Sequence, residues 1–192
     1  MRNTLHSRRT FLRRMGLLTA GSALSSQTLT QQLYAQTTQK LPKQDLSLSF
    51  SNLHTGESLK TTFFADGQFI PEGMQEISHL LRDHRNNQVG EMNPQLMMYL
   101  HDLQQNLGVN REFQVISGYR SPETNAMLSQ RSNKVAKKSL HMQGKAIDIR
   151  LPGTDLKHLH KAAMSMKRGG VGLYTRSQFV HLDVGRYRFW GS

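Results

Sequence analysis

Two short alternating segments limit what this chain can fold into more than any other feature. The first, Ala146 to Leu151, is apolar and β-branched, and Gly144 sits where a loop would turn into it. The second is Phe179-Val180-His181-Leu182-Asp183. On a strand, side chains alternate between faces, so Ala146 and Asp148 share one face, and His181 and Asp183 share another. His141 arrives from the loop before the first segment, seven positions ahead of Asp148. If the two strands are neighbours, His141, Asp148 and His181 converge on one point. Two imidazoles and a carboxylate with a fourth position open to water form the ligand pattern of a catalytic zinc site, not a structural one. Spacing alone does not separate this from two strands that each carry a hydrogen-bonded structural histidine.

The motifs themselves are more specific. Ser139-Leu140-His141-Met142-Gln143-Gly144-Lys145-Ala146-Ile147-Asp148, read as S-x-H-x-x-G-x-A-x-D, is followed by F-V-H-x-D. This pair resembles the zinc signature of the M15-type peptidoglycan peptidases. The run from Asn52-Leu53-His54-Thr55-Gly56-Glu57 to His181-Leu182-Asp183 resembles their murein endopeptidase K branch. The resemblance implies that His141, Asp148 and His181 bind Zn²⁺. It also implies a single α+β domain like the Hedgehog and D-alanyl-D-alanine peptidase fold, with an antiparallel sheet carrying the site and helices on its other face.

Residues 1–35 are set aside as a signal peptide. Ser7-Arg8-Arg9-Thr10-Phe11-Leu12-Arg13 is a twin-arginine pattern, and the weakly apolar run Met15 to Leu24 behind it is too short to span a bilayer. Cleavage is expected after Ala35. A basic arm on a cytoplasmic protein is the alternative. The expectation is periplasmic localisation by twin-arginine export, with a flexible lead-in at 36–45 and the peptidase domain at 46–192. The chain has no cysteine, so disulfides and thiolate ligands play no part. Roughly 155 residues remain after the signal, enough for one domain with one core. No second hydrophobic run reaches membrane-spanning length, so no stable membrane insertion is expected.

The full chain has 25 Lys+Arg against 13 Asp+Glu; removing the five signal arginines leaves a net +7. Such a charge suits anionic wall polymers as well as nucleic acid. With no nucleic-acid motif or aromatic stacking pattern, no nucleic-acid partner is expected. The tight basic cluster from Arg131 to Lys138 lies just upstream of the proposed site and is either a solvated loop or a substrate attractor.

Alternation at Leu46–Phe50 and Leu59–Phe64 around a turn containing His54 predicts a β-hairpin. Pro71 opens a helix with the stripe Met74, Ile77, Leu80 and Leu81. Asn93-Pro94 opens a second, with Leu96, Met97, Leu100, Leu103 and Leu107, closed by Gly108. Phe113–Ser117 reads as a strand, Pro122–Gln130 as a short helix, and Asp155–Lys167 as an amphipathic helix. His79, His84 and His101 are surface or packing residues, and His158 and His160 are expected to be exposed. Gly169 to Tyr174 forms a glycine-rich strand without phosphate-loop spacing, whose glycines would let backbone or substrate approach the metal. It forms a hairpin with the His181 strand, and Tyr187, Phe189 and Trp190 wall the cleft or close the core.

Ser117-Gly118-Tyr119-Arg120-Ser121 resembles a second family motif, which implies that Arg120 binds substrate or stabilises the developing oxyanion. A rigid, permanently charged guanidinium suits that task, and a structural partner for Asp or Glu is the plainer alternative. The dipeptidase branch carries a glutamate as E-x-x-H before its last ligand; this chain has Gln178, and an amide cannot take a proton from water. Asp183 is therefore the candidate general base, with orientation of His181 as its other possible task. The resemblance implies cleavage of peptidoglycan cross-links between meso-diaminopimelate residues. A D-Ala-directed carboxypeptidase or endopeptidase, and a zinc-bearing wall-binding module without turnover, are the alternatives.

Overall fold

The computed structural model describes residues 45–132 and 135–191; the segment expected to be a signal peptide and most of the expected lead-in lie outside the described residues. Two strands, β1 (Leu46–Asn52) and β2 (Ser58–Ala65), form the expected hairpin and are extended by β3 (Gln68–Phe69). Next come helix α1 (Pro71–Leu80), helix α2 (Pro94–Asn106), strand β4 (Phe113–Ser117) and helix α3 (Pro122–Arg131). A 3₁₀ turn at Leu140–Gln143 leads into β5 (Ala146–Arg150). Helix α4 (Leu156–Ser165) and strands β6 (Gly170–Tyr174), β7 (Phe179–Asp183) and β8 (Arg188–Trp190) complete the order.

Local chemistry sets these boundaries. Proline occupies the first turn of α1, α2 and α3, where its missing N–H costs no helical bond. Side-chain oxygens of Asn93, Ser121 and Asp155 cap α2, α3 and α4 by accepting from backbone N–H groups that would otherwise lack partners. Gly108 ends α2 at φ +65°, a left-handed conformation that glycine adopts without a Cβ penalty.

The strands form one sheet in the order β3-β2-β1-β4-β5-β7-β6-β8. It is mixed, not purely antiparallel: β1 pairs with β4 and β6 pairs with β8 in parallel, while the other pairs run antiparallel. The parallel pairs follow from crossovers. Two helices separate β1 from β4, and the entire β7 strand lies between β6 and β8 in sequence.

Helix α1 packs on β2, α2 on β1, and α4 on β6 and β7. Leu48, Phe50, Phe113, Val115, Ile147, Ile149, Val180 and Leu182 meet Leu96, Leu100 and Leu103 of α2 in one core, all essentially inaccessible to water. Burial of each such side chain contributes about 1.5–3 kcal/mol in gross terms. Tyr99 lies wholly inside, its hydroxyl donating to the Ala163 carbonyl at 3.0 Å and tying α2 to α4. His160, expected at the surface, is buried beside Leu159, Ala162 and Ala163, because α4 presses a wide face onto the sheet. His158 is exposed as expected.

Candidate metal centre

The alternation of β5 turns Ile147 and Ile149 into the core and Asp148 to the opposite face. Strand β7 does the same with Val180 and Leu182 against His181 and Asp183. The β5–β7 register sets Asp148 directly opposite His181, and Ala146 opposite Asp183. His141 is brought in by the 3₁₀ turn, which Ser139 caps and Gly144 ends at φ +62°. A Cβ on Gly144 would strike the Glu91 carbonyl, so this position needs both the left-handed backbone and the missing side chain.

The three side chains converge. His141 Nε2 lies 3.3 Å from His181 Nδ1 and 3.5 Å from Asp148 Oδ1, and His181 Nδ1 lies 2.8 Å from Asp148 Oδ1. The ligating atoms fall within 4.8 Å of one another, making this the group among the described residues able to hold a metal ion. Tetrahedral zinc with bonds of roughly 2.0–2.1 Å spaces its ligand atoms about 3.3 Å apart, close to these separations.

The neighbours decide which nitrogens face the centre. His141 Nδ1 lies 2.8 Å from the Gly118 carbonyl, which can only accept, so Nδ1 carries the proton and Nε2 presents its lone pair. On His181 the arrangement is reversed: Nε2 donates to Asp183 Oδ2 at 3.0 Å, leaving Nδ1 toward the centre. Once His181 Nδ1 gives up its proton, two imidazole lone pairs and a carboxylate oxygen face one point, a donor set suited to a divalent cation. Nitrogen and oxygen ligands of this kind accept zinc.

Electrostatics without a metal reflect the same crowding. Burial alone would raise the Asp148 carboxyl, but the charges and hydrogen bonds of His141 and His181 hold it well below the usual carboxylate range. Burial alone would lower His181, yet hydrogen bonds to Asp148 and Asp183 push it up to about 9. Asp183 is inaccessible to water. Against the effect of burial, its bonds to His181, Arg188, Gly185 and Gly170 keep it ionised to low pH.

Asp183 lies outside the three converging side chains. Its two oxygens accept from His181 Nε2, both Arg188 Nη atoms and the backbone N–H groups of Gly170 and Gly185. Arg188 was not singled out in the sequence. Its one signal there was a buried acid in need of a counter-charge, five residues upstream. The glycines of β6 serve these neighbours: a side chain on Gly170 would collide with Asp183 and Arg188, and one on Gly172 with the Trp190 indole. They make room for the supports of His181. Trp190 packs against His181 with ring centroids 5.3 Å apart, and Arg188 lies over the Trp190 ring at 5.2 Å.

The centre opens into a cleft of about 530 Å³, lined among others by Arg120, Lys138, Tyr174, Phe179 and Trp190. Arg120 contributes its guanidinium to this wall. Burial lowers its pKa against the pull of Asp148, its Nη1 reaches Asn125 Oδ1 at 3.4 Å, and its buried Nε has no partner among the described residues. Asn125 also donates to the carbonyls of Ala136 and Lys137, holding the basic segment beside the cleft. The loop carrying Arg120 is fixed by buried Asp83, which accepts from the Ser121 N–H at 2.9 Å, and by Tyr119 N–H donation to Leu81. Gln178 is exposed at the β6–β7 turn, where its carbonyl accepts from Arg150, and it is absent from the cleft wall. The acids of the cleft wall, among the described residues, are Asp148 and Asp183.

A family model described as peptidoglycan L,D-endopeptidase MepK matches residues 40–190. Peptidoglycan L,D-endopeptidase MepK of Escherichia coli K12 is 43% identical over 178 residues, 93% of this chain and 96% of that protein. A probable peptidoglycan L,D-endopeptidase MepK of Haemophilus influenzae is 44% identical over 144 residues, covering 74% of this chain and 77% of that protein. No solved structure matches the chain. With the family model spanning most of the chain and both relatives well above the level of chance similarity, this protein belongs to the M15-type peptidase family of peptidoglycan L,D-endopeptidase MepK.

Proposed function

We propose that this enzyme is a zinc-dependent murein endopeptidase that hydrolyses peptide cross-links of peptidoglycan, in particular the link between two meso-diaminopimelate residues. The observation that carries the metal is the convergence of two outward-protonated imidazoles and Asp148 on one point at zinc-like spacing. Substrate class rests on the similarity to the MepK proteins. Zinc, when bound, supplies a Lewis acid that polarises a carbonyl and brings the pKa of its water toward ~7.

Each side chain then has a definable task. His141, Asp148 and His181 hold the ion. Gly118 and Asp183 hold the two rings by their far nitrogens, a role typical of groups behind metal-bound histidines. Orientation of His181 accounts for Asp183 better than proton abstraction does. Its oxygens already accept five hydrogen bonds, and it meets His181 at Nε2, the nitrogen facing away from the centre. Arg120, whose guanidinium lines the cleft, grips a substrate carboxylate or the oxygen that gains charge during attack. The arginine-marked leader at 1–35 directs twin-arginine export to the periplasm, where peptidoglycan is met. The α+β architecture fits a Hedgehog and D-alanyl-D-alanine peptidase-like fold.

Defined muropeptides test this directly. Metal-loaded protein is incubated with a dimer joined through meso-diaminopimelate and with one joined through D-Ala, with and without chelator, and products are weighed by mass spectrometry. Cleavage of the first, abolished by chelator and restored by zinc, is expected. Cleavage of D-Ala bonds alone would point to the D,D-peptidase alternative. Binding of both dimers without product would point to a wall-binding module.

A further inference from the structure

Resting on the hydrolytic reading above, we infer that Tyr174 is a catalytic residue, its phenol donating a hydrogen bond to the oxygen that becomes negative at the scissile carbon. Tyr174 ends β6 on the same face as Gly172, which pairs with His181. It lines the cleft together with Arg120 and His181. Its ring is fixed by stacking on Phe179 at a centroid distance of 4.5 Å and an interplanar angle of 17°.

The direction of its proton follows from its neighbour. Trp190 Nε1 lies 3.1 Å from the Tyr174 hydroxyl. An indole nitrogen can only donate, so the phenolic oxygen is the acceptor in that bond and its own proton points elsewhere. No acceptor among the described residues takes that proton. The same indole packs against His181, so one side chain holds both a proposed metal ligand and the phenol.

A fixed phenol whose oxygen already accepts from an indole, on the wall of a cleft that also carries a guanidinium, is an arrangement that stabilises a developing oxyanion. When water adds to the carbonyl carbon, the carbonyl π pair moves onto its oxygen, and the phenol meets that charge without giving up its proton. When the C–N bond then breaks, the pair returns to reform the carbonyl, the amine leaves with a proton derived from the water, and the phenol is unchanged. The cleft's two acids cannot take this role, because an ionised carboxylate only accepts.

Tyr174→Phe keeps the ring and its stacking on Phe179 but takes the acceptor from the Trp190 indole, so a small fall in melting temperature is expected while metal content stays at the wild-type level. For the cross-linked dimer, kcat is expected to fall about 10–100-fold with KM changed less than about threefold, since one such donor acts mainly in the transition state. A tetrahedral phosphinate isostere of the scissile bond, followed by calorimetry, should lose affinity by a similar factor while the product peptide binds as before. Turnover and phosphinate affinity within about twofold of wild type, at full metal occupancy, would overturn the assignment. Equal losses for phosphinate and product would also overturn it, by making Tyr174 a ground-state contact. Wild-type protein that cleaves no dimer would instead defeat the hydrolytic reading itself, an outcome visible before any variant is compared.

Discussion

At His181 the nitrogen that faces the centre is chosen by residues outside the three converging side chains. Asp183 takes the Nε2 proton, Arg188 neutralises Asp183 through two Nη contacts at 3.0 and 2.6 Å, and Trp190 covers the ring. Asp183→Asn keeps the volume and one acceptor oxygen but loses the charge that fixes the acceptor toward His181. Metal affinity is expected to fall about 10–100-fold, as for other groups that hold metal-bound histidines. Turnover at saturating zinc should stay within about tenfold of wild type. Competition with a chromophoric chelator measures the first quantity and dimer hydrolysis the second. Full metal occupancy with turnover at background would restore Asp183 to the role of general base. Arg188→Ala should reproduce the affinity loss more weakly, since two backbone N–H groups still hold Asp183.

Strand β6 shows how an element serves the site by what it lacks. Gly170 and Gly172 leave the volume that the Asp183–Arg188 pair and the Trp190 indole occupy. Gly170→Ala should therefore act like a change at Asp183 without altering any ligand. The overpacking is expected to cost about 1–3 kcal/mol of stability and to weaken zinc binding in the same chelator assay. A fully stable variant with unchanged affinity would mean the pair can shift freely. Helix α2 supplies a control remote from the chemistry. Asn93→Ala removes the acceptor for Gln95 N–H at 2.9 Å and should lower stability by about 1 kcal/mol in denaturant melts, with metal affinity untouched.

These elements were legible along the chain to the extent that their causes are local. Asn93-Pro94, Pro71 and Gly108 marked helix ends because caps and turns depend on adjacent residues. The alternation at β5 and β7 showed which residues share a face, and the motif resemblance supplied the convergence that spacing alone left open. What escaped the sequence is nonlocal. The parallel β1–β4 and β6–β8 pairings depend on crossovers, and His160 is covered by a sheet face remote in sequence. The purpose of the β6 glycines became visible only with Asp183 and Trp190 beside them.

For the whole molecule, three mutually facing donors couple folding, pH and metal. In the metal-free protein the His181 pKa of about 9 lies above its ordinary value. Protonated His181 therefore stabilises the fold fully below about pH 6.5, and that contribution disappears as pH rises through about 9. Asp148 and Asp183 are shifted downward, so their contribution holds above about pH 4 and is lost as pH falls through their depressed values. The metal-free form should thus be most stable between about pH 4 and 6.5, and weaker at pH 9 by on the order of 2–3 kcal/mol. Zinc runs the other way, because it needs His181 Nδ1 unprotonated and displaces a proton on binding. The gap in melting temperature between zinc-loaded and chelator-treated protein should widen steadily from about pH 6 to about pH 9. Paired thermal melts across that range measure it, with proton release on zinc addition read by calorimetry in buffers of different ionisation enthalpy. A gap that narrows toward pH 9, or zinc binding without proton release near pH 7, would show that these three side chains do not share one ion.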